Sequence, residues 1–411
     1  MRIFGITGTN GKTTTAWILR EFLGGGGLVT TVEVDTGTRR FSSGYTTPPL
    51  KALKEIFAEM EANGLADCVM EVSSHAIHQR RTGDTVFAGC AFTNLTEDHL
   101  DYHKTMEAYF EAKADLFRRL AETNPGAPTA ICVDGSYGRR LAALCRALPL
   151  TTIPCGFAAS DPALVAEVEA RCPLVGRYNV QNVLLAVALA EGAGVPRDAI
   201  RAKIPALTPR WGRLERVKTR SAAEVFVDYA HTDDALANVL STVREFAKGK
   251  VWAVFGAGGD RDTRKRPLMG AAAARFADHL IVTSDNPRSE DPRAIIDQIV
   301  AGIPSGTDAV VEPDRRAAIH LALERAAPGD VVVVCGKGHE TTQTIGSRVL
   351  HFDDRETCAA FRQFCCWRFC WRDARRRRRP GCGGRSRRAC HGAPKSSRPT
   401  WRSASRRRRS A

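Results

Sequence analysis

Apolar positions along the chain follow two alternating patterns. Short runs dense in Val, Ile, Phe and Cys predict strands at 2–7, 67–72, 87–92 and 129–133. Between them, apolar residues spaced three and four apart predict helices at 13–23, 50–63, 106–120 and 139–148. Strands that alternate with helices imply a mostly parallel sheet covered on both faces, the α/β class. A polar, proline-bearing stretch at 204–213 breaks this order, and strands then follow at 225–228, 251–255, 279–283, 309–311 and 331–335 with helices between them. The expected boundary lies near 209–216, giving α/β domains at 1–208 and 209–361. A crevice between two such domains is the natural place for a site that two substrates share.

After residue 361 neither period continues. Residues 362–411 mix Trp, Cys, Arg and Gly and are expected to form no core, either as a disordered tail or as an out-of-frame translation of GC-rich DNA. This segment also explains the charge. The net +15 of the whole chain would suggest an acidic partner, but 362–411 holds 18 of the 60 bases and one of the 45 acids. Residues 1–361 keep 42 bases and 44 acids, so the body is near neutral and no nucleic-acid partner is expected for it. A nucleic-acid-binding arm in the tail is the lesser alternative.

Eight of the 13 cysteines lie in the body without a CxxC pair, which fits buried reduced thiols. No secretory segment opens the chain, and no apolar run approaches the ~20 residues that span a bilayer. A cytoplasmic, membrane-free protein is the resulting expectation.

The first predicted strand runs into Gly8-Thr9-Asn10-Gly11-Lys12-Thr13-Thr14 and then into a helix. Glycines let backbone amides converge on phosphate oxygens, Lys12 adds charge at the β and γ positions, and the Thr13 hydroxyl can ligate Mg²⁺. ATP or another nucleoside triphosphate is implied. Glu71 ends the next predicted strand, where open α/β sheets place ligands, and suits a Mg²⁺ ligand. A third strand delivers Thr93 to Asp101 to the same edge; His99 there reads equally as a helix-capping or surface residue.

GTNGKTT at 8–14, EVSSH at 71–75, TNLTEDHLDYH at 93–103 and EAK at 111–113 resemble, in that order, the central ATPase domain of the Mur ligase family. The resemblance implies a P-loop central domain, a Rossmann-like C-terminal domain, and an ATP- and Mg²⁺-dependent, ADP-forming amide ligase. It also implies that Glu71, His99 and a CO₂-carbamylated Lys113 hold a second Mg²⁺. Spacing alone would make Lys113 an ordinary solvated helix residue. GRYNVQN at 176–182, GRLE at 212–215 and DYAH at 228–231 resemble the family's nucleotide-closing segments, giving Asn179, Arg213, Asp228 and His231 as ATP contacts. Asn179 alone reads equally as a helix start, and Asp233 stands where the family usually has proline.

GAGGDRD at 256–262, DNPR at 285–288 and GKGHE at 336–340 each follow a predicted strand and resemble the diaminopimelate-adding MurE branch. The resemblance places Arg261, Asp285, Asn286, Pro287, Arg288, Gly336 and Glu340 around the incoming amino acid, with Arg288 gripping its distal carboxylate as a fork. It places Thr46, Thr47, Ser73, Gln79 and Arg81 against the muramoyl peptide. The implied partners are a UDP-N-acetylmuramoyl dipeptide and meso-diaminopimelate, with the protein a monomer. A lysine-adding or folylpolyglutamate-type ligase is the runner-up, which DNPR disfavours; an inactive nucleotide- or nucleic-acid-binding remnant is the alternative of another class. Relatives carry a separate N-terminal domain for the uridine end, so a chain starting at Met1 is expected to bind that substrate weakly; a misplaced start codon is the other expectation.

Overall fold

The computed structural model describes residues 1–208 and 212–362. The boundary residues 209–211 and the expected disordered tail from 363 onward lie outside the described residues.

Eight strands build the first sheet: β1 (Arg2–Thr7), β2 (Gly27–Val29), β3 (Val34–Asp35), β4 (Arg40–Phe41), β5 (Asp67–Glu71), β6 (Phe87–Phe92), β7 (Pro128–Cys132) and β8 (Thr151–Cys155). Their order is β4-β3-β2-β5-β1-β6-β7-β8, parallel except for the β2-β3-β4 meander. Helices Lys12–Phe22 and Arg177–Gly192 cover one face, where Trp17, Leu19, Leu184 and Leu185 pack on Phe4 and Ile6. Helices Leu50–Ala62 and Met106–Thr123 cover the other through Leu53, Met60, Phe110 and Phe117.

The second sheet contains β9 (Glu215–Arg216), β10 (Glu224–Asp228), β11 (Val251–Phe255), β12 (His279–Val282), β13 (Ala309–Val311) and β14 (Val331–Cys335), in the order β13-β12-β11-β14-β10-β9. All pairs are parallel except β9 with β10. Along β14, Val331, Val333 and Cys335 enter one apolar cluster while Val332 and Val334 enter the cluster on the opposite face. A strand buried on both sides has no polar side to show, hence its unbroken apolar run. A hairpin of β15 (Thr342–Ile345) and β16 (Arg348–His351) stands apart from both sheets.

The α/β class and alternation hold, with shifts at element ends. The helix expected at 139–148 is Ser136–Arg146, because Gly135 sets its start and the N–H groups of Ala147 and Leu148 bond in a tighter three-residue closure. The β2–β4 meander, β8 and the hairpin were not expected, and β2 to β4 are only two or three residues long.

One polar contact secures the loops of the second sheet. Arg315 and Asp354 are a fully buried pair at 2.7 Å, and the same guanidinium donates to the Cys335 carbonyl at 2.9 Å and the Ser284 carbonyl at 3.3 Å. Asp354→Ala leaves an uncompensated buried cation, so a loss of about 3–5 kcal/mol is expected in urea unfolding. A loss below about 1 kcal/mol would mean that the pair is dispensable.

Candidate active site

Three loops leave neighbouring strand ends of the first sheet, because β5 and β6 flank β1 in parallel. The loop after β1 is drawn tight by hydrogen bonds to the loop after β6. Thr9 N donates to Asn94 O at 2.9 Å, Asn10 N to Asn94 Oδ1 at 2.9 Å, and Thr93 Oγ1 to Asn10 O at 2.6 Å. Gly8 is obligatory here: a Cβ would stand 1.8 Å from Thr93 Oγ1. Gly11 likewise has φ 85° and faces Asn182 Oδ1. Lys12 folds over the loop, its Nζ donating to the carbonyls of Gly8 at 3.1 Å and Thr9 at 2.7 Å.

Glu71 closes β5 beside this loop. Its Oε1 accepts from the Thr13 hydroxyl at 2.7 Å and Thr31 N at 3.0 Å, and its Oε2 accepts from the Thr31 hydroxyl at 3.2 Å. All three donors are neutral hydroxyl or amide groups. Lys113 is 1% exposed, and its Nζ donates to Gly8 O at 2.8 Å and lies 4.7 Å from the Tyr109 ring centre. Two lysines thus converge on one carbonyl. Burial, and then the Lys12 charge, pull the Lys113 amine well below its ordinary value. The solvated-lysine reading fails for that reason. His99 sits 6.0 Å from the same Tyr109 ring, centre to centre. It occupies a left-handed residue (φ 55°) at the start of a short helix but makes no capping bond; its Nε2 is 3.5 Å from the Asp98 carboxylate.

The second sheet faces these loops. Arg213 donates to the Thr13 hydroxyl at 3.1 Å and lies 4.6 Å over the Tyr229 ring. Asp228 is buried, its two oxygens accepting from Leu214 N at 2.6 Å and Ala230 N at 2.7 Å, which fixes the turn that carries His231. Burial pushes the His231 imidazolium down to about 4. Asp234 accepts from Asn10 Nδ2 at 2.9 Å and from the Thr96 hydroxyl at 3.3 Å, tying both loops of the first sheet to the helix Asp233–Phe246.

Two cavities result. One, of about 450 Å³, is lined by Asn10, Gly11, Thr14, Asn179, Arg213, Asp228 and His231 together with Phe157, Arg177 and Tyr178. The other, of about 780 Å³, takes Thr31 and Thr46 from the first sheet and Arg261, Lys265, Asp285, Asn286, Arg288, Gly336 and Glu340 from the second. Tyr229 and His231 line both.

Residues 6–190 match the Mur ligase middle domain, and residues 212–338 match the Mur ligase glutamate ligase domain. The chain belongs to the Mur ligase family. It is 43% identical to the UDP-N-acetylmuramoyl-L-alanyl-D-glutamate--2,6-diaminopimelate ligase of Geobacter metallireducens, over 88% of this chain and 78% of that one. A solved structure of such a ligase is 32% identical, with a TM-score of 0.54 over 87% of this chain and 77% of the other. The Mycobacterium tuberculosis folylpolyglutamate synthase, 18% identical with a TM-score of 0.60 over 82% and 88%, shares the fold.

Within this Mur ligase, the residues expected around the amino acid, Pro287 excepted, line one cavity. Arg261 and Arg288 both approach Gly258, and Arg288 Nη1 donates to Gly259 O at 2.6 Å. Asn286 Nδ2 reaches Glu340 at 2.8 Å, while Pro287 is buried under Gly259, where a Cβ would touch its carbonyl at 1.9 Å. The expected muramoyl-peptide residues fall in two linked groups. Thr46 reaches Glu71 through the Thr31 hydroxyl, at 2.9 Å. Arg81 binds Gln79 Oε1 at 2.7 Å and Thr47 O at 3.2 Å, and the Thr47 hydroxyl bridges Glu71 O and Ser73 N. Asn179 does not cap its helix: Gly176 holds that position, and Asn179 Nδ2 donates to Val175 O at 2.8 Å.

Sequence reading missed Asp98, Asp234, Lys265 and the Arg266–Glu290 pair. Arg266 is fully buried, donates to both Glu290 oxygens at 2.8 Å, and reaches Gly258 O, so it locks the loop after β11 to the loop after β12. The only available signal was their position in a charged run at a helix start, which a solvated surface would show equally.

Proposed function

We infer that this chain is an ATP-dependent, ADP-forming amide ligase that adds meso-diaminopimelate to UDP-N-acetylmuramoyl-L-alanyl-D-glutamate in peptidoglycan precursor synthesis. The observation that carries this reading is the charge pattern of the larger cavity. Arg261 and Arg288 line it with no ion pair among the described residues, and the Asp285 and Glu340 carboxylates line it too. Burial, and then the Asp285 charge, raise the Glu340 carboxyl, so a bound ammonium would stabilise both. A diamino diacid presents two anions and two cations to that set.

The two sheets form separate domains, 1–208 and 209–361, and the reaction takes place where they meet. ATP enters the smaller cavity, with Gly8 to Thr14 around its phosphates and Asn179, Arg213, Asp228 and His231 on the closing side. Its γ-phosphate passes to the side-chain carboxylate of the dipeptide's glutamate, and the diaminopimelate amine then attacks the acyl phosphate. Lys12 and Arg213 offset charge as the phosphoryl group moves. Thr46, Thr47, Ser73, Gln79 and Arg81 hold the muramoyl peptide beside Glu71. Domain contact through Asp234 excludes water from the acyl phosphate.

Mg²⁺ fits the hard oxygen donors Thr13 and Glu71, with His99 and a carbamylated Lys113 as a second set. Among the described residues no three His, Cys, Asp or Glu side chains could hold a metal by themselves, so the Lys113 carbamate would supply the missing anionic oxygen. When bound, the metal neutralises phosphate charge. Eight free cysteines among the described residues and the use of ATP fit work in the cytoplasm, and no described helix could cross a membrane.

The test is ADP release and product mass with ATP, Mg²⁺, the UDP-linked dipeptide and, in turn, diaminopimelate, lysine and glutamate. Ligation of diaminopimelate in clear preference is expected. Faster turnover of lysine or glutamate would overturn the assignment.

A further inference from the structure

Lys265 opens the helix Lys265–Phe276 and is 8% exposed, yet among the described residues it makes no hydrogen bond and no ion pair. Its side chain lines the larger cavity. The charges of Asp98, His231 and Asp262 are felt there, but none comes within pairing distance. The neighbouring Arg266 is also buried and is fully engaged by Glu290 and Gln298. A buried ammonium without a protein partner costs several kcal/mol unless something in the cavity completes it. The helix N-terminus beneath it is met by Asp262, whose Oδ1 accepts from Arg264 N at 3.0 Å, but that carboxylate makes no contact with the Lys265 ammonium.

The cavity wall on either side says which anion that is. Thr31, hydrogen-bonded to Glu71 and to Thr46, marks the side of the phosphoryl transfer. Arg261, Arg288 and Glu340 mark the side of the amino acid. His231 lies in both cavities and close enough to Lys265 to be depressed by its charge. We propose that Lys265 is a catalytic residue of the second half-reaction, its ammonium hydrogen-bonding the phosphate of the acyl phosphate as that group leaves. The amine nitrogen forms the new N–C bond, and the C–O bond to phosphate breaks. Phosphate departs with the electron pair, and the nitrogen loses one proton to solvent. Lys265 contributes charge and hydrogen bonds to the leaving phosphate and transfers no proton in this step. This assignment rests on the ligase reading given above.

The full chain and its Lys265→Met and Lys265→Arg variants test it, with ATP, Mg²⁺ and the UDP-linked dipeptide. Rapid-quench ADP formation without amino acid reads the first half-reaction, and amide product with diaminopimelate reads both. For Lys265→Met the ADP burst is expected to stay within about 3-fold of the parent, while kcat for amide falls roughly 10²- to 10³-fold with little change in KM for diaminopimelate. Lys265→Arg is expected to recover at least about 10-fold of that loss, since it restores a charged donor. Equal loss of burst and amide, a rise in KM alone, or no recovery with arginine would each overturn the proposal. A parent chain that makes no ADP with these substrates would instead sink the ligase reading, and this one with it.

Discussion

Replacing Lys12 by methionine is expected to lower kcat/KM for ligation roughly 10³-fold while leaving the melting temperature unchanged or slightly higher. The two halves have one cause. Gly8 O accepts from both Lys12 and Lys113, so the loop crowds a buried cation and a second amine around a single carbonyl. Burial lowers the Lys12 amine, and only the Glu71 and Asp98 charges pull it back. That crowding is unfavourable in the protein alone and is relieved by a triphosphate, whose β and γ oxygens Lys12 would meet. Methionine keeps the bulk and removes the buried charge, which offsets the lost bonds to Gly8 O and Thr9 O. Initial rates of ADP release and a thermal melt of the same preparation check both; turnover that survives the change, or a melt lowered by many degrees, would take Lys12 out of the chemistry.

Arg288→Leu is expected to cut kcat/KM for diaminopimelate roughly 10³-fold and to leave that for lysine nearly unchanged. Lysine has no distal carboxylate for the guanidinium to hold, so only the diacid loses a partner. The residue is held in place by backbone as well as side chain. It adopts φ 53°, its N–H bonds Thr344 O at 3.1 Å, and it bridges to Ile345 of the β15 strand. The competing-substrate product ratio reads the change directly. A parallel fall for both amino acids would place Arg288 in the scaffold and not in selection.

Legibility in the sequence followed burial. The bounds of β11, β13 and β14 coincide with the expected ranges, and for β11 and β14 polar or glycine-rich turns sharply end runs buried on both faces. The β2–β4 meander escaped because two- and three-residue strands are shorter than any period, and β8 because its proline disguises an edge strand. The hairpin left a trace in Gly346-Ser347 between alternating residues, a recognisable two-residue turn. At the site, the order of motifs pointed to the loops, since those at β1, β5, β6, β10, β11, β12 and β14 lie at or just beyond the strand ends. What could not be read was any property set across the cleft. The burial of Lys113 depends on Gly8, 105 positions away; the isolation of Lys265 depends on loops from both sheets.

Tyr229 is flanked by His231 and His339, with ring centres 4.7 and 4.9 Å away, and is covered by Arg213. With His231 it forms the partition between the two chambers. A single synthetic compound with a purine-like head, a short bridge over that ring and a diacid tail would occupy both chambers at once. Tethering makes the second engagement intramolecular, which can raise avidity about 10²- to 10⁴-fold over either half alone. The partition is therefore the place to set the length of a two-headed inhibitor.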